Sequence, residues 1–383
     1  MALFAAKKRL NLALQGGGAH GAFTWGVLDR LLEDDDVEVG WVSGTSAGAV
    51  NAVALAAGLA SDAGGNHQGK NRSAADRATR TEARAILRRV WEGVEKAGVP
   101  DLMRLNPFLY GMSKAGGFAH VGSLLSPYEF NPLGFDPLRK LLTQQIDFEA
   151  IRKSGGGEIL IAATDVGTGR PRIFRRPELT VEAVLASACL PQIHHAVEIE
   201  GRTYWDGGFS ANPDILTMAG DSPTADTLIV QLNPLERQGA PRSARDIAVH
   251  VNTITFGQPL VRDVELVVDA QTELGGGWFR RGKGRLSRIA RHRFHVVQGG
   301  RYTSRLGAQS KTTPERAVLA FLFEAGRREM SRWLEQHRSD IGRRQSVDLR
   351  KLYLEHETEA QPAIEVRDQP AVEDEIYLAG TRP

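Results

Sequence analysis

The strongest constraint in this sequence lies in residues 10–60, where a strand, a glycine turn and a helix occur twice in succession. Leu10 to Leu14 is a short apolar run that ends at Gln15-Gly16-Gly17-Gly18. Phe23, Val27, Leu28, Leu31 and Leu32 then recur at helical spacing, up to the acidic run Asp34-Asp35-Asp36. Val37 to Val42 is a second apolar run. It enters Gly44-Thr45-Ser46-Ala47-Gly48, and an Ala-rich helix follows to about Ala60. Two such units in tandem predict an α/β fold built on a parallel sheet.

Composition narrows the class. The chain has 383 residues, 42% hydrophobic and 25% charged, which excludes collagen-like, mucin-like and wholly disordered chains. Lys and Arg number 48 against 46 Asp and Glu, a balance of +2, so no global field calls for nucleic acid and none is expected as a partner. Cys189 is the sole cysteine, which rules out an intrachain disulfide and multi-Cys metal sites and suits a reducing compartment. The apolar run Ala47 to Ala60 contains Asn51 and falls short of the roughly 20 residues a spanning helix needs. Ala2 to Ala6 precedes the basic Lys7-Lys8-Arg9, the reverse of signal-peptide order. The expected setting is cytoplasmic, with a membrane surface open as a peripheral partner.

Further along, Ser61 to Arg80 is polar, contains glycine and lacks a period, which predicts a mobile loop. Glu82 to Lys96 reads as a helix with Ile86, Leu87, Val90, Trp91 and Val94 on one face. Pro100 to Phe135 mixes apolar residues with Gly and Pro, and reads as a packed irregular excursion or as a lid. Glu158 to Ala163 and Leu228 to Leu232 predict strands. Val181 to Ala188 and Pro314 to Gln336 predict helices. Residues 275–293 hold Trp278, Phe279 and a cluster of arginines, a solvated face or a candidate contact with anionic lipid. The chain turns polar and acidic after about Lys351.

Three motifs carry chemistry. Gly16-x-Gly18-x-x-Gly21 has the spacing and the strand-to-helix context of a dinucleotide loop, with Glu38 near the expected acidic position. The same backbone can equally hold a transition-state oxyanion, or be a tight turn with no ligand. Gly44-x-Ser46-x-Gly48 puts a serine between small neighbours at a strand-to-helix turn, where a nucleophile would be exposed at a helix N-terminus. Asp206-Gly207-Gly208 follows Thr203-Tyr204-Trp205, a strand end, and alone reads as an ordinary Asp-Gly turn. An α/β-hydrolase fits poorly, because the serine comes too early in the chain and no later histidine lies in a recognisable motif. Gly64-x-x-x-x-Gly69-Lys70 mimics a phosphate loop but has Asn71 where Ser or Thr should follow. No metal-ligand spacing is convincing, and Cys189 reads as a buried small side chain.

Taken together, Gln15 to Gly21, Gly44 to Gly48 and Asp206-Gly207-Gly208 with Asn212 and Pro213 resemble the patatin-like phospholipases. Ala186-Ser187-Ala188-Cys189-Leu190-Pro191 resembles the block that precedes the family's Asp-Gly-Gly. The resemblance spans roughly residues 10–235. It implies a three-layer fold, with a mostly parallel sheet flanked by helices, and a lipid acyl hydrolase acting on a lipid or other hydrophobic ester. It implies Ser46 as nucleophile, Asp206 as general base and Gly16, Gly17 and Gly18 as the oxyanion loop, with no cofactor or metal. Gly44, Gly48, His20, Gly207 and Gly208 would support that site. Many members carry Arg or Lys where His20 stands, and a histidine holds an anion only when protonated. The expected organisation is a catalytic domain over 8–235, a helical and basic extension over 236–350 packed on it, and a polar tail over 351–383. The competing readings are a dinucleotide-binding protein and a catalytically silent regulatory member of the same fold.

Overall fold

The computed structural model describes residues 7–61, 72–97, 126–236, 240–274, 282–306, 308–311 and 313–355. Its centre is one mixed sheet of 8 strands. The strands are β1 (Lys8–Leu14), β2 (Val37–Thr45), β3 (Ile159–Asp165), β4 (Pro171–Arg175), β5 (Val197–Ile199), β6 (Arg202–Asp206), β7 (Asp226–Gln231) and β8 (Arg293–Gln298). They lie in the order β5-β6-β3-β2-β1-β7-β8, with β4 also paired to β3. The run β3-β2-β1-β7-β8 is parallel, while β4, β5 and β6 pair antiparallel.

Central strands are covered on both faces, which is why Leu10 to Leu14 is almost continuously apolar. Leu10, Leu12, Leu14, Leu228 and Val230 face one core, and Ala13 and Ile229 face the other. The first core is closed by α1 (Gly21–Leu31), α2 (Ala47–Leu59), α3 (Arg72–Ala97), α4 (Val181–Ser187) and α6 (Arg316–His337). The second is closed by Leu260, Val264 and Val267 of α5 (Ala244–Leu274), with Leu349 and Tyr353. Polar Asn11 sits inside β1 because its amide fills a break in the β1–β2 register. It accepts from Trp41 N–H at 2.8 Å and donates to the Thr224 carbonyl at 3.0 Å.

Two sequence expectations change. Residues 72–80 are not loop but the first turns of α3. Their polarity misled, because this stretch is held by polar partners: Arg80 donates to the Asp34 and Val37 carbonyls, and Asp76 pairs with Arg80 and Lys7. The C-terminal boundary also moves outward, since Leu349–Tyr353 is a helix with both end residues buried. The region after 236 joins the fold closely: β8 extends the sheet, and Arg327 of α6 pairs with Asp29 of α1. Residues 62–71, 98–125, 275–281 and 356–383 lie outside the described residues. Half of the expected 61–80 loop and most of the 100–135 excursion and of the 351–383 tail fall there, as does Gly64 to Asn71.

Candidate active site

Ser46 stands between β2 and α2, with φ 54° and ψ −122°. A non-glycine residue in that conformation carries strain of about 1–3 kcal/mol and persists only where its surroundings hold it. Here they do. The Ser46 N–H donates to Ser187 Oγ at 2.9 Å, and its carbonyl accepts the N–H groups of Ala49 and Val50. Thr45 Oγ1 donates to the Ala211 carbonyl at 2.8 Å. The flanking glycines allow close approach: a Cβ on Gly44 would strike the Gly48 carbonyl, and one on Gly48 would strike the Leu14 carbonyl. The turn is therefore pressed between its own helix and the end of β1.

Asp206 reaches this serine through sheet geometry rather than sequence. Since β4 occupies one edge of β3 over Leu160 to Thr164, β2 and β6 must share the other edge. Thr45 is opposite Ala162, and Asp206 is opposite Ala163. The last residue of β2 and the last of β6 thus stand beside consecutive residues of one strand. The Asp206 N–H donates to the Cys189 carbonyl, and its own carbonyl accepts from Thr164 Oγ1, both at 2.8 Å. The side chain is fully buried. Oδ1 accepts the Gly208 N–H at 2.7 Å, and Oδ2 has no hydrogen-bond partner among the described residues. Burial pushes the carboxyl up to about 7, against the opposing pull of the Gly208 N–H and the nearby Ser46 hydroxyl.

The glycine loop completes the cluster. Gly16 lies so close to the serine that a Cβ there would be 2.8 Å from Ser46 Cβ. Its N–H donates to Asn212 Oδ1 at 2.7 Å, and Asn212 Nδ2 donates to the Phe256 carbonyl of α5 at 2.8 Å. Of the three glycines expected to face an oxyanion, Gly16 has therefore spent its donor on a positioning bond. The N–H groups of Gly17 and Gly18 donate to no described residue. Gly18 adopts φ 58°, a left-handed conformation suited to glycine. His20, buried just before α1, is lowered to about 3 by desolvation, with Lys311 adding repulsion. It is neutral at physiological pH and supplies no cation.

Other candidates take structural places. Glu38 pairs with Arg9 at the start of β1 and β2, whereas the glycine loop follows Leu14, opposite Gly44. The acid is thus at the far end of the sheet from the loop, which removes the geometry of dinucleotide recognition. Cys189 is buried, with its thiol pushed up to about 12 by desolvation. Together with His194 and His195 it lines a cavity of about 210 Å³. His292 and His295 are buried on Thr227 and Asp226. In the basic segment, Arg285 pairs with Asp221, Arg288 donates to the Asp221 and Ser222 carbonyls, and Arg293 pairs with Asp226. Trp278 and Phe279 lie outside the described residues. Among the described residues no His, Cys, Asp and Glu group could hold a metal, and no helix is long and apolar enough to cross a membrane.

Sequence reasoning did not give roles to Asn212, Ser187 or Thr45. Asn212 and Ser187 lay in noticed blocks, but their partners are far away in sequence. A polar residue next to a small-residue motif was the only available signal.

With this geometry in hand, comparison with known proteins is informative. A family model described as patatin-like phospholipase matches residues 12–219, more than half of the chain. No curated protein matches it. Among solved structures, VipD from Legionella pneumophila is similar at 15% identity, over 87% of this chain and 68% of that one. Its TM-score of 0.35 is too low to inform the site.

Proposed function

This chain belongs to the patatin-like phospholipase family, and on that premise we propose that it is a lipid acyl hydrolase working through Ser46 and Asp206. The observation that carries this reading is the Asp206 side chain: buried, with one oxygen unspent and its pKa raised to about 7, beside a strained serine. An ordinary carboxylate is too weak a base for a serine hydroxyl. Desolvation brings this one close to working pH, where general-base catalysis is most effective.

In the proposed cycle, Ser46 Oγ attacks the ester carbonyl carbon while its proton passes to Asp206. The carbonyl oxygen gains the negative charge and is met by the Gly17 and Gly18 N–H groups, with Gly16 held in place by Asn212. The intermediate collapses, the C–O bond to the alcohol breaks, and Asp206 returns the proton to the leaving oxygen. Water then attacks the acyl-enzyme as Asp206 accepts its proton. The second collapse frees the acid and restores the Ser46 hydroxyl. The N-terminus of α2 favours negative charge developing on Ser46.

Intact-mass labelling with a fluorophosphonate tests the proposal on wild type, Ser46→Ala and Asp206→Ala. One adduct is expected on wild type, absent from Ser46→Ala and formed far more slowly on Asp206→Ala. An Asp206→Ala protein that labels and hydrolyses at the wild-type rate would remove the dyad.

A further inference from the structure

The glycine loop is gripped by a turn that lies well beyond residues 12–219. Residues Ala308–Lys311 form one turn of 3-10 helix packed against the loop. The Lys311 carbonyl fills the space where a side chain on Gly18 would begin. His20 Nε2 and Ser310 Oγ are hydrogen-bonded at 2.7 Å. Lys311 Nζ donates to Asn233 Oδ1 at 2.8 Å. The N–H groups of Asn233 and Leu232 in turn donate to Gln15 Oε1, at 2.8 and 2.7 Å. Gln15 is the residue just before the three glycines, so the loop is held at Gln15, at Gly18 and at His20.

Three consecutive glycines have little conformational preference of their own. The Gly17 and Gly18 N–H groups can serve an incipient oxyanion only if something outside the loop holds it in one shape. Asn212 does this for Gly16. At the other end, the packed elements are the 308–311 turn and Leu232, whose side chain lies against Gly17. The His20 imidazole is neutral, through burial and through repulsion from Lys311.

We propose that Lys311 is a positioning residue for the glycine loop: its ammonium holds Asn233, whose N–H holds Gln15, and with the Ser310 contact on His20 this fixes both ends of the loop that presents the Gly17 and Gly18 N–H groups. This rests on the acyl-hydrolase reading and gives the C-terminal region a part in it. Such a clamp acts where charge develops, so its loss lowers kcat and leaves substrate binding alone.

The test uses the full chain as wild type, Lys311→Met, Lys311→Arg and Ser310→Ala. Two rates are measured: hydrolysis of p-nitrophenyl butyrate, resolved into kcat and KM, and fluorophosphonate labelling. Thermal melts run alongside. Lys311→Met is expected to lose about tenfold or more in both kcat and labelling rate, with KM within about twofold and the melt unchanged, and Lys311→Arg to recover most of the loss. A reactive wild type beside a Lys311→Met protein of equal rate, or one slowed only through KM, overturns this inference alone. A wild type that neither labels nor hydrolyses overturns the acyl-hydrolase reading and this inference with it. Should Lys311→Met fail to fold, Ser310→Ala is judged by the same two rates.

Discussion

Asp206 and Asp226 are both buried, both at an end of a strand in the same sheet, and they are treated in opposite ways. Asp226, at the start of β7, accepts from Arg293 Nε at 2.8 Å and Nη2 at 2.6 Å. It also meets His295 Nε2 at 3.3 Å and the Gly342 N–H at 3.0 Å. Burial alone would raise its carboxyl, but these partners hold it well below the usual carboxylate range. Asp206, at the end of β6, receives one N–H and is left with a bare oxygen. The first is arranged to stay an anion and tie β7 to β8 and the C-terminal segment. The second is arranged so that its proton is easily exchanged near neutral pH. The difference teaches that burial of a carboxylate says little until its hydrogen bonds are counted.

The contrast breaks most sharply on Asp206→Asn. An amide keeps the acceptor for Gly208 but cannot take a proton, so ester hydrolysis should fall by about 10³-fold or more in a steady-state assay. In the wild type, kcat/KM should rise with pH and level off above about 7, where Asp206 is ionised. A profile already flat at pH 5 would count against Asp206 as the base. Asp226→Ala should instead leave the chemistry nearly intact in the folded fraction. It should cost about 3–5 kcal/mol of stability in urea titration, because Arg293 is left without its partner.

The stabilities should also run in opposite directions with pH. The folded pKa of Asp226 is depressed, so its contribution is full above its unfolded value and is lost as pH falls. The folded pKa of Asp206 is raised, so its penalty grows as pH rises from about 4 to about 7. Asp206→Asn should therefore gain roughly 4 kcal/mol at pH 8 and little at pH 4, measured by urea titration at both. An equal effect at both pH values would mean that the carboxyl is not desolvated. The smallest effect expected is that of Asn212→Ala. Releasing the Gly16 N–H should lower kcat about 10- to 100-fold, with KM little changed.

What the sequence made legible follows the same division. Gly44, Ser46, Gly48 and Asp206 stood out because their chemistry requires small neighbours, and small neighbours are visible as letters. Both strand–turn–helix units were readable because the inner parts of β1 and β2 are buried and therefore largely apolar. The hydrogen bonds of Asn212 and Ser187 were not legible, because each joins segments more than a hundred residues apart through one side-chain atom. The first turns of α3 escaped because polar partners rather than an apolar stripe hold them. The commitment of the Gly16 N–H was hidden too, since a backbone donor leaves no mark in composition.

The shared edge of β3 has a consequence for how such a chain can change over time. The spacing of Ser46 and Asp206 is dictated by two neighbouring residues of a strand that supplies neither of them. Between the two lie about 160 residues, and the pairing with β3 rather than that length of chain brings them together. A one-residue insertion within β3 itself, silent by every local measure of helix or loop, would pull the pair out of step. The spacing of the pair is thus tied to the most anonymous strand of the sheet.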